Sequence, residues 1–141
     1  MPASVEPLPN CFFRVEIEGI VEGSFNEVII DDAKTQVIEY REGGDLRVRK
    51  LPGLTKFSSV TLRRAVTGGD ELYNWWRATS QGTTDRKAMS VMVLDKSLAE
   101  VMRWNFFECW PARYGLSKLD AQGNDVFMET VEVTFELMER A

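Results

Sequence analysis

The sequence contains no histidine. That removes the commonest general base, the commonest nitrogen ligand of zinc and the usual catalytic triads. Cysteine is almost as scarce: Cys11 and Cys109 lie far apart, each in an apolar, strand-like run. Two buried thiols in a reducing compartment are expected of them, rather than a disulfide between neighbouring strands. No apolar run approaches the length of a membrane-spanning helix, so no membrane anchoring is expected. The opening MPASVEPLPN lacks the basic start and apolar stretch of a secretory signal, which points to synthesis in the cytoplasm. Its three prolines suggest an extended arm over residues 1–10. The segment VTGGDE lacks the Gly-Lys-Ser/Thr ending of a phosphate loop. Asp31 and Asp32 have no calcium-loop spacing around them and read as a turn or bulge. No catalytic residue, metal ligand or cofactor-binding residue is expected, and an enzyme is disfavoured.

What is present is a strand pattern. The 141 residues, 44% apolar and 28% charged, suit one domain over 1–141. CFFRVEIEG alternates, with Cys11, Phe13, Val15 and Ile17 on one face and Arg14, Glu16 and Glu18 on the other, as a half-buried strand does. FNEVIID, AKTQVIEY and SSVTLRRAV read as further strands. AMSVMVLD and EVMRWNFFECW read as two more, joined by the hairpin connection DKSLAE. VFMETVEVTFELME reads as one long final strand after the turn cluster DAQGND. A single helix is expected in TGGDELYNWWRATSQG, where Leu72, Trp75, Trp76 and Thr79 share one face. Thr67 and Asp70 resemble a capping box there, and Gly82 a C-terminal stop. The predicted fold is mainly β: a β-barrel or sandwich with one flanking α-helix covering an opening.

One segment does not fit that core. From Arg41 to Arg64 seven basic residues stand against two acids, a window of +5 in a chain of −5. Gly43-Gly44 predicts a two-residue hairpin turn pairing Tyr40 with Arg47 and Glu39 with Val48. Neither face of such a hairpin is apolar enough for a core. Pro52-Gly53 fits the centre of a type II turn, which leaves Leu51, Leu54 and Phe57 as apolar residues in a loop. A protruding loop over 41–57 is long for a compact domain. It is either a solvated loop or an arm that orders on another subunit, its cations meeting an acidic surface and its apolar residues filling a groove. A nucleic-acid patch has weak support in an acidic protein.

GSFNEVIIDDAKTQVIEYREGGD, KLPGLTKFSSVTLRRAVTGGDELYNWWR and VMRWNFFECWPARYGLSKLDAQGNDVFMETVEVTFE, in this order, resemble the tube protein of contractile phage tails and related injection machines. EYREGGD, KLPGL, TLRR and WNFFECWPARY carry the resemblance most specifically. It implies a barrel-like fold shared with type VI secretion tube proteins, and homohexameric rings whose sheets join around a lumen. It also implies head-to-tail stacking into a tube driven through an envelope by a contracting sheath. The implied partners are further copies of the chain, a sheath protein, baseplate and spike proteins, and cargo, DNA or protein, in the lumen. The place of assembly would be a phage tail or an extracellular or cell-associated contractile particle. The long loop would reach the adjacent ring, making Arg41, Glu42, Gly43, Gly44, Asp45, Arg47, Arg49, Lys50, Leu51, Leu54 and Phe57 subunit-contact residues, with Leu72, Trp75 and Trp76 the helix face.

Thr130, Glu132, Thr134 and Glu136 are candidates for an exposed face, toward either lumen or sheath. An acidic lumen would disfavour sticking of a polyanion. Two other readings remain beside the main tube: a baseplate-proximal ring that starts it, and a monomeric small-ligand-binding β-barrel with the loop as its lid.

Overall fold

A computed structural model describes residues 12–20, 25–66, 69–123 and 125–141. Nine strands and one helix follow in the order β1 (Phe13–Ile17), β2 (Glu27–Ile30), β3 (Lys34–Tyr40), β4 (Arg49–Lys56), β5 (Ser59–Ala65), α1 (Glu71–Ser80), β6 (Lys87–Leu94), β7 (Glu100–Leu116), β8 (Met128–Thr134) and β9 (Leu137–Arg140). Seven of the strands form one antiparallel sheet in the order β1-β6-β7-β8-β5-β2, with β9 also on β7. The remaining two, β3 and β4, form a separate two-stranded hairpin.

The large sheet folds over on itself because β7 belongs to both halves. Its residues 100–109 pair with β6 and its residues 110–116 with β8. Just before the changeover Glu108 takes φ 56, a left-handed backbone that turns the strand. The sequence suggested an end at Trp110; the strand instead continues through Pro111, which is buried at a register shift. The two halves enclose one core, in which Val15, Ile17, Met89, Val91 and Phe106 meet Val60, Leu62, Val131 and Val133.

The expected single last strand is broken. Phe135 enters the core against Phe106, ring centroids 4.8 Å apart. The Glu136 amide then bonds the Phe107 carbonyl, and β9 pairs with β7 in the other half of the sheet. The inward parity shifts with it: Met138 packs on the core while Leu137 is exposed. A core aromatic therefore overrides an otherwise continuous alternation. The β6–β7 connection is the hairpin expected. Asp95 accepts bonds from the amides of Ser97 and Ala99 and from the Ser97 hydroxyl, which holds Leu98 at φ 67.

Helix α1 packs on β7, with Leu72 and Trp75 buried. The Trp75 indole donates to the Asp85 carbonyl at 2.7 Å. Trp76 is half-buried, with Tyr114 and Tyr73 beside its ring. The expected capping box does not form, because Asp70 is itself the N-cap and makes no side-chain cap bond; Thr67 lies outside the described residues. The C-terminus ends as expected. Gly82, at φ 89, bonds the Thr79 carbonyl, and the Thr83 amide reaches Ala78, a Schellman closure.

A buried ionic network ties helix to sheet. Arg64 on β5 pairs with Glu129 on β8, and its Nη2 lies 3.3 Å from Glu71 on α1. The Tyr114 hydroxyl donates to Glu129 at 2.7 Å. Burial, then that bond, pushes the Tyr114 pKa up to about 12. Cys109 is a buried free thiol, raised to about 12 chiefly by burial; Cys11 lies outside the described residues.

Candidate assembly surface

The β3–β4 hairpin begins where β2 and β5 leave the sheet. Asp31 at its root accepts a bond from Ser59 on β5 at 3.0 Å. Beside it an open cleft of about 670 Å³ is lined by Ile30, Asp32, Lys34, Lys56 and Phe57 among others. Beyond the root, every residue of β3 is exposed and β4 is exposed but for half-buried Gly53. Two strands joined only to each other are marginal in water, and this pair has no third layer.

The hairpin differs from its expected register. Tyr40 stands opposite Arg49 and Glu39 opposite Lys50, so the connecting loop is residues 41–48 rather than Gly43-Gly44 alone. Asp45 explains the longer loop. Its amide bonds the Glu42 carbonyl around Gly43-Gly44, its carboxylate accepts the Arg47 amide, and its carbonyl takes the Arg41 guanidinium. Gly44, at φ 85, supplies the positive φ this turn needs. Pro52-Gly53 is not a turn. Val37 pairs with Pro52 inside β4, where an edge strand tolerates the missing N–H. A Cβ on Gly53 would meet two Ile38 side-chain carbons at 3.1 Å, so the glycine lets Ile38 lie across the backbone.

This register gives each face its own content. One presents Ile38, Tyr40, Arg49 and Leu51; the other Val37, Glu39, Lys50 and Pro52. Leu46 at the tip is 92% exposed and Leu54 on β4 69%. Lys34 and Lys56 stand directly opposite one another, and neither they nor Lys50 join an ion pair among the described residues. Residues 34–56 hold six basic against three acidic side chains in a chain of net −5. Of the residues picked from sequence, Arg41 through Leu54 cluster on this hairpin. Phe57 does not: it packs on the chain's own core, 5.7 Å from the Phe135 ring. Leu72 and Trp75 are likewise core residues, which leaves Trp76 as the partly accessible indole.

A second surface was legible in sequence only through Thr130 and Glu132; its other strands were not. β2, β5, β8 and residues 110–116 of β7 form four alternating antiparallel strands. One face of this half-sheet packs on the core, and the other, with Thr61, Arg63, Thr130 and Glu132, is free. Its two border strands, β2 and the second half of β7, each lack a partner on the outer side among the described residues. Open β borders and a free-standing hairpin leave backbone groups and apolar side chains of this chain uncovered among the described residues.

The sequence profile of the T4-like virus tail tube protein gp19 family matches residues 9–139, and the chain belongs to that family. It is similar to a chain of the sheath–tube complex of an extracellular contractile injection system, PVC, in the extended state, with 25% identity, TM-score 0.87, and 96% of this chain and 91% of that one covered. A chain from that system's sheath/tube terminator gives 26% identity, TM-score 0.88, and coverage of 98% and 99%. Hcp1 of Flavobacterium johnsoniae shares the fold at 16% identity, TM-score 0.61, over 92% of this chain and 94% of that one. No curated protein matches the sequence. The fold is thus that of tail tube and Hcp proteins, and the family is one of structural tube proteins, not enzymes.

Proposed function

We propose that this chain is the repeating protomer of the inner tube of a contractile injection machine. The observation that carries the reading is the β3–β4 hairpin: two strands exposed on both faces, with no layer of their own to bury Ile38, Leu51 and Leu54. A second copy supplies that layer. The contact is head-to-tail, so it propagates a filament instead of closing on itself.

Ring formation uses the open borders. Because the four strands alternate in direction, β2 of one copy runs antiparallel to the second half of β7 of the next, and antiparallel pairing continues around an axis. The core and sheet half on one side of these four strands then lie outside the ring. Their free face lines the bore. Six copies per ring, stacking through the hairpin, a sheath around the tube, and a baseplate and spike at its end complete the machine. The chain is made in the cytoplasm and assembled into a phage tail or extracellular particle.

Concentrated protein should therefore give rings and filaments in negative stain, and Arg47→Glu, Arg49→Glu and Lys50→Glu together should leave the fold intact but stop stacking. A protein that stays monomeric at every concentration sinks the reading; normal filaments from the triple variant sink its electrostatic part. A baseplate-proximal ring that starts the tube is the second reading, supported by the likeness to a chain of the anti-feeding prophage baseplate structure. It predicts single rings that never stack upon themselves.

A further inference from the structure

Three cross-strand rows on the free face of the four-stranded half-sheet carry Glu27, Asp31 and Glu132 against Arg63 and Arg113. Both bases have a partner within the chain: Arg63 lies 3.9 Å from Glu27, and Arg113 3.5 Å from Glu132. Asp31 has no ion pair among the described residues. It accepts the Ser59 hydroxyl at 3.0 Å, and that hydroxyl lies 3.3 Å from Glu132, so two carboxylates share one donor. Asp31 and Arg113 stand at opposite borders of the half-sheet. Asp31 follows the last residue of β2, and Arg113 lies in the part of β7 whose outer side is open. A Cβ built on Gly115 would meet Arg113 Nη1 at 3.0 Å, so the guanidinium lies over that border strand, and its side chain is 60% exposed. One border thus offers a cation, and the other a carboxylate that lacks one.

We propose that Arg113 of one copy pairs with Asp31 of the next, and that this ion pair sets the register at which neighbouring copies join. The inference rests on the reading that β2 of one copy adds to the second half of β7 of another. Residues directly opposite in such a ladder point to the same face, so a one-residue slip turns free face against core face. Only every second register is therefore open. Placing Asp31 opposite Arg113 puts Ile29 opposite Gly115, and Val28 opposite Leu116 on the other face. The first contact gives the unpaired carboxylate a guanidinium. The last covers exposed Leu116 with half-buried Val28. A shift of two residues one way sets Arg113 against Ile29 and Leu116 against Asn26, and loses both. The same shift the other way sets Arg113 against Ala33, past the end of β2. A single register meets the charge and the apolar demand together. In it Arg113 lies between its own Glu132 and the Asp31 of the next copy, and a planar guanidinium with five N–H donors serves two carboxylates.

Two charge reversals test this by recovery as well as by loss. Arg113→Asp alone sets two acids face to face at every seam, and Asp31→Arg alone two bases. Each should raise the protein concentration needed for rings about tenfold, read by sedimentation velocity and negative stain. An equimolar mixture of the two variants should assemble as the native protein does, because in a ring of alternating variants every seam again holds one acid and one base. Far-ultraviolet circular dichroism reports that each variant is folded. Rings from either variant alone at the native concentration, or folded variants whose mixture does not recover, overturn the proposal. Native protein that forms no rings refutes the ring reading itself, and the inference with it. Where a reversal prevents folding, disulfide trapping decides. Asp31→Cys with Arg113→Cys, in a Cys11→Ser background, should give a ladder of covalent oligomers when concentrated protein is mildly oxidised, since opposite Cβ atoms of an antiparallel pair lie about 4.5–5.5 Å apart. Within one copy β5 and β8 separate the two positions. Ile29→Cys in place of Asp31→Cys should give a much fainter ladder, and an equal or stronger one overturns the register.

Discussion

Replacing Ile38, Leu51 and Leu54 together by threonine removes much of the apolar content of the hairpin's strands and puts β-branched, strand-forming side chains there. These residues are 45%, 48% and 69% exposed in the single chain. Full burial of such side chains is worth roughly 1.5–3 kcal/mol each, so the half or more still open on the protomer represents about 2.5–5 kcal/mol per hairpin. Ordering the hairpin on its neighbour consumes part of this. A net loss of about 2 kcal/mol would raise the critical concentration for filaments about thirtyfold. Sedimentation of filaments against total protein reads that concentration directly, and far-ultraviolet circular dichroism and urea unfolding of dispersed protomers report the fold. The expected result is a large shift in assembly with little change in protomer stability. An unchanged critical concentration would refute the claim that these side chains meet another copy. A steep loss of protomer stability would place them in the chain's own core.

The Arg64–Glu129 pair is buried, and Glu129→Gln leaves a guanidinium with only Glu71 at 3.3 Å, so a loss of about 3–5 kcal/mol is expected in urea unfolding of protomers. Replacing both partners by methionine should recover much of that loss; equal destabilisation by single and double variants would contradict the argument. Tyr114, raised to about 12, keeps its proton in the folded chain after the unfolded chain has released it at about 10. Its contribution to stability is therefore intact below about pH 10 and lost as pH climbs toward 12, and Tyr114→Phe should flatten that part of the profile. Near-ultraviolet tyrosinate absorbance of the native protein should show one late-titrating group that the variant lacks.

The strand pattern was legible wherever one face meets the core. β1, β5 and β8 alternate because water lies on one side and Val15, Leu62 or Val131 on the other. Legibility failed where a local event broke the period. Phe135 crosses from one half of the sheet to the other, and nothing in VTFELME announces the crossing. Glu108 adopts a left-handed backbone that glutamate rarely favours, so the bend in β7 was hidden. Pro52-Gly53 looked like a turn because its residues are turn formers; on an edge strand the same residues are tolerated and the ladder runs through them. The hairpin stood out in sequence through its charge and its lack of a core face, but its register depended on Asp45, whose bonds to Arg41 and Arg47 no periodicity encodes. The free face of Thr130 and Glu132 was visible as alternation. Its partners Arg63 and Arg113 were not, since the pairing of strands separate in sequence is a property of topology and not of local pattern.

Amide hydrogen exchange, compared between dilute protomers and assembled filaments of the native protein, tests the central claim most directly. The account predicts that residues 34–56, 27–30 and 110–116 exchange faster in protomers than in filaments, while the buried amides of β6 are equally protected in both. A hairpin already protected in dilute protomers, or filaments in which these three segments exchange as freely as before, would contradict it.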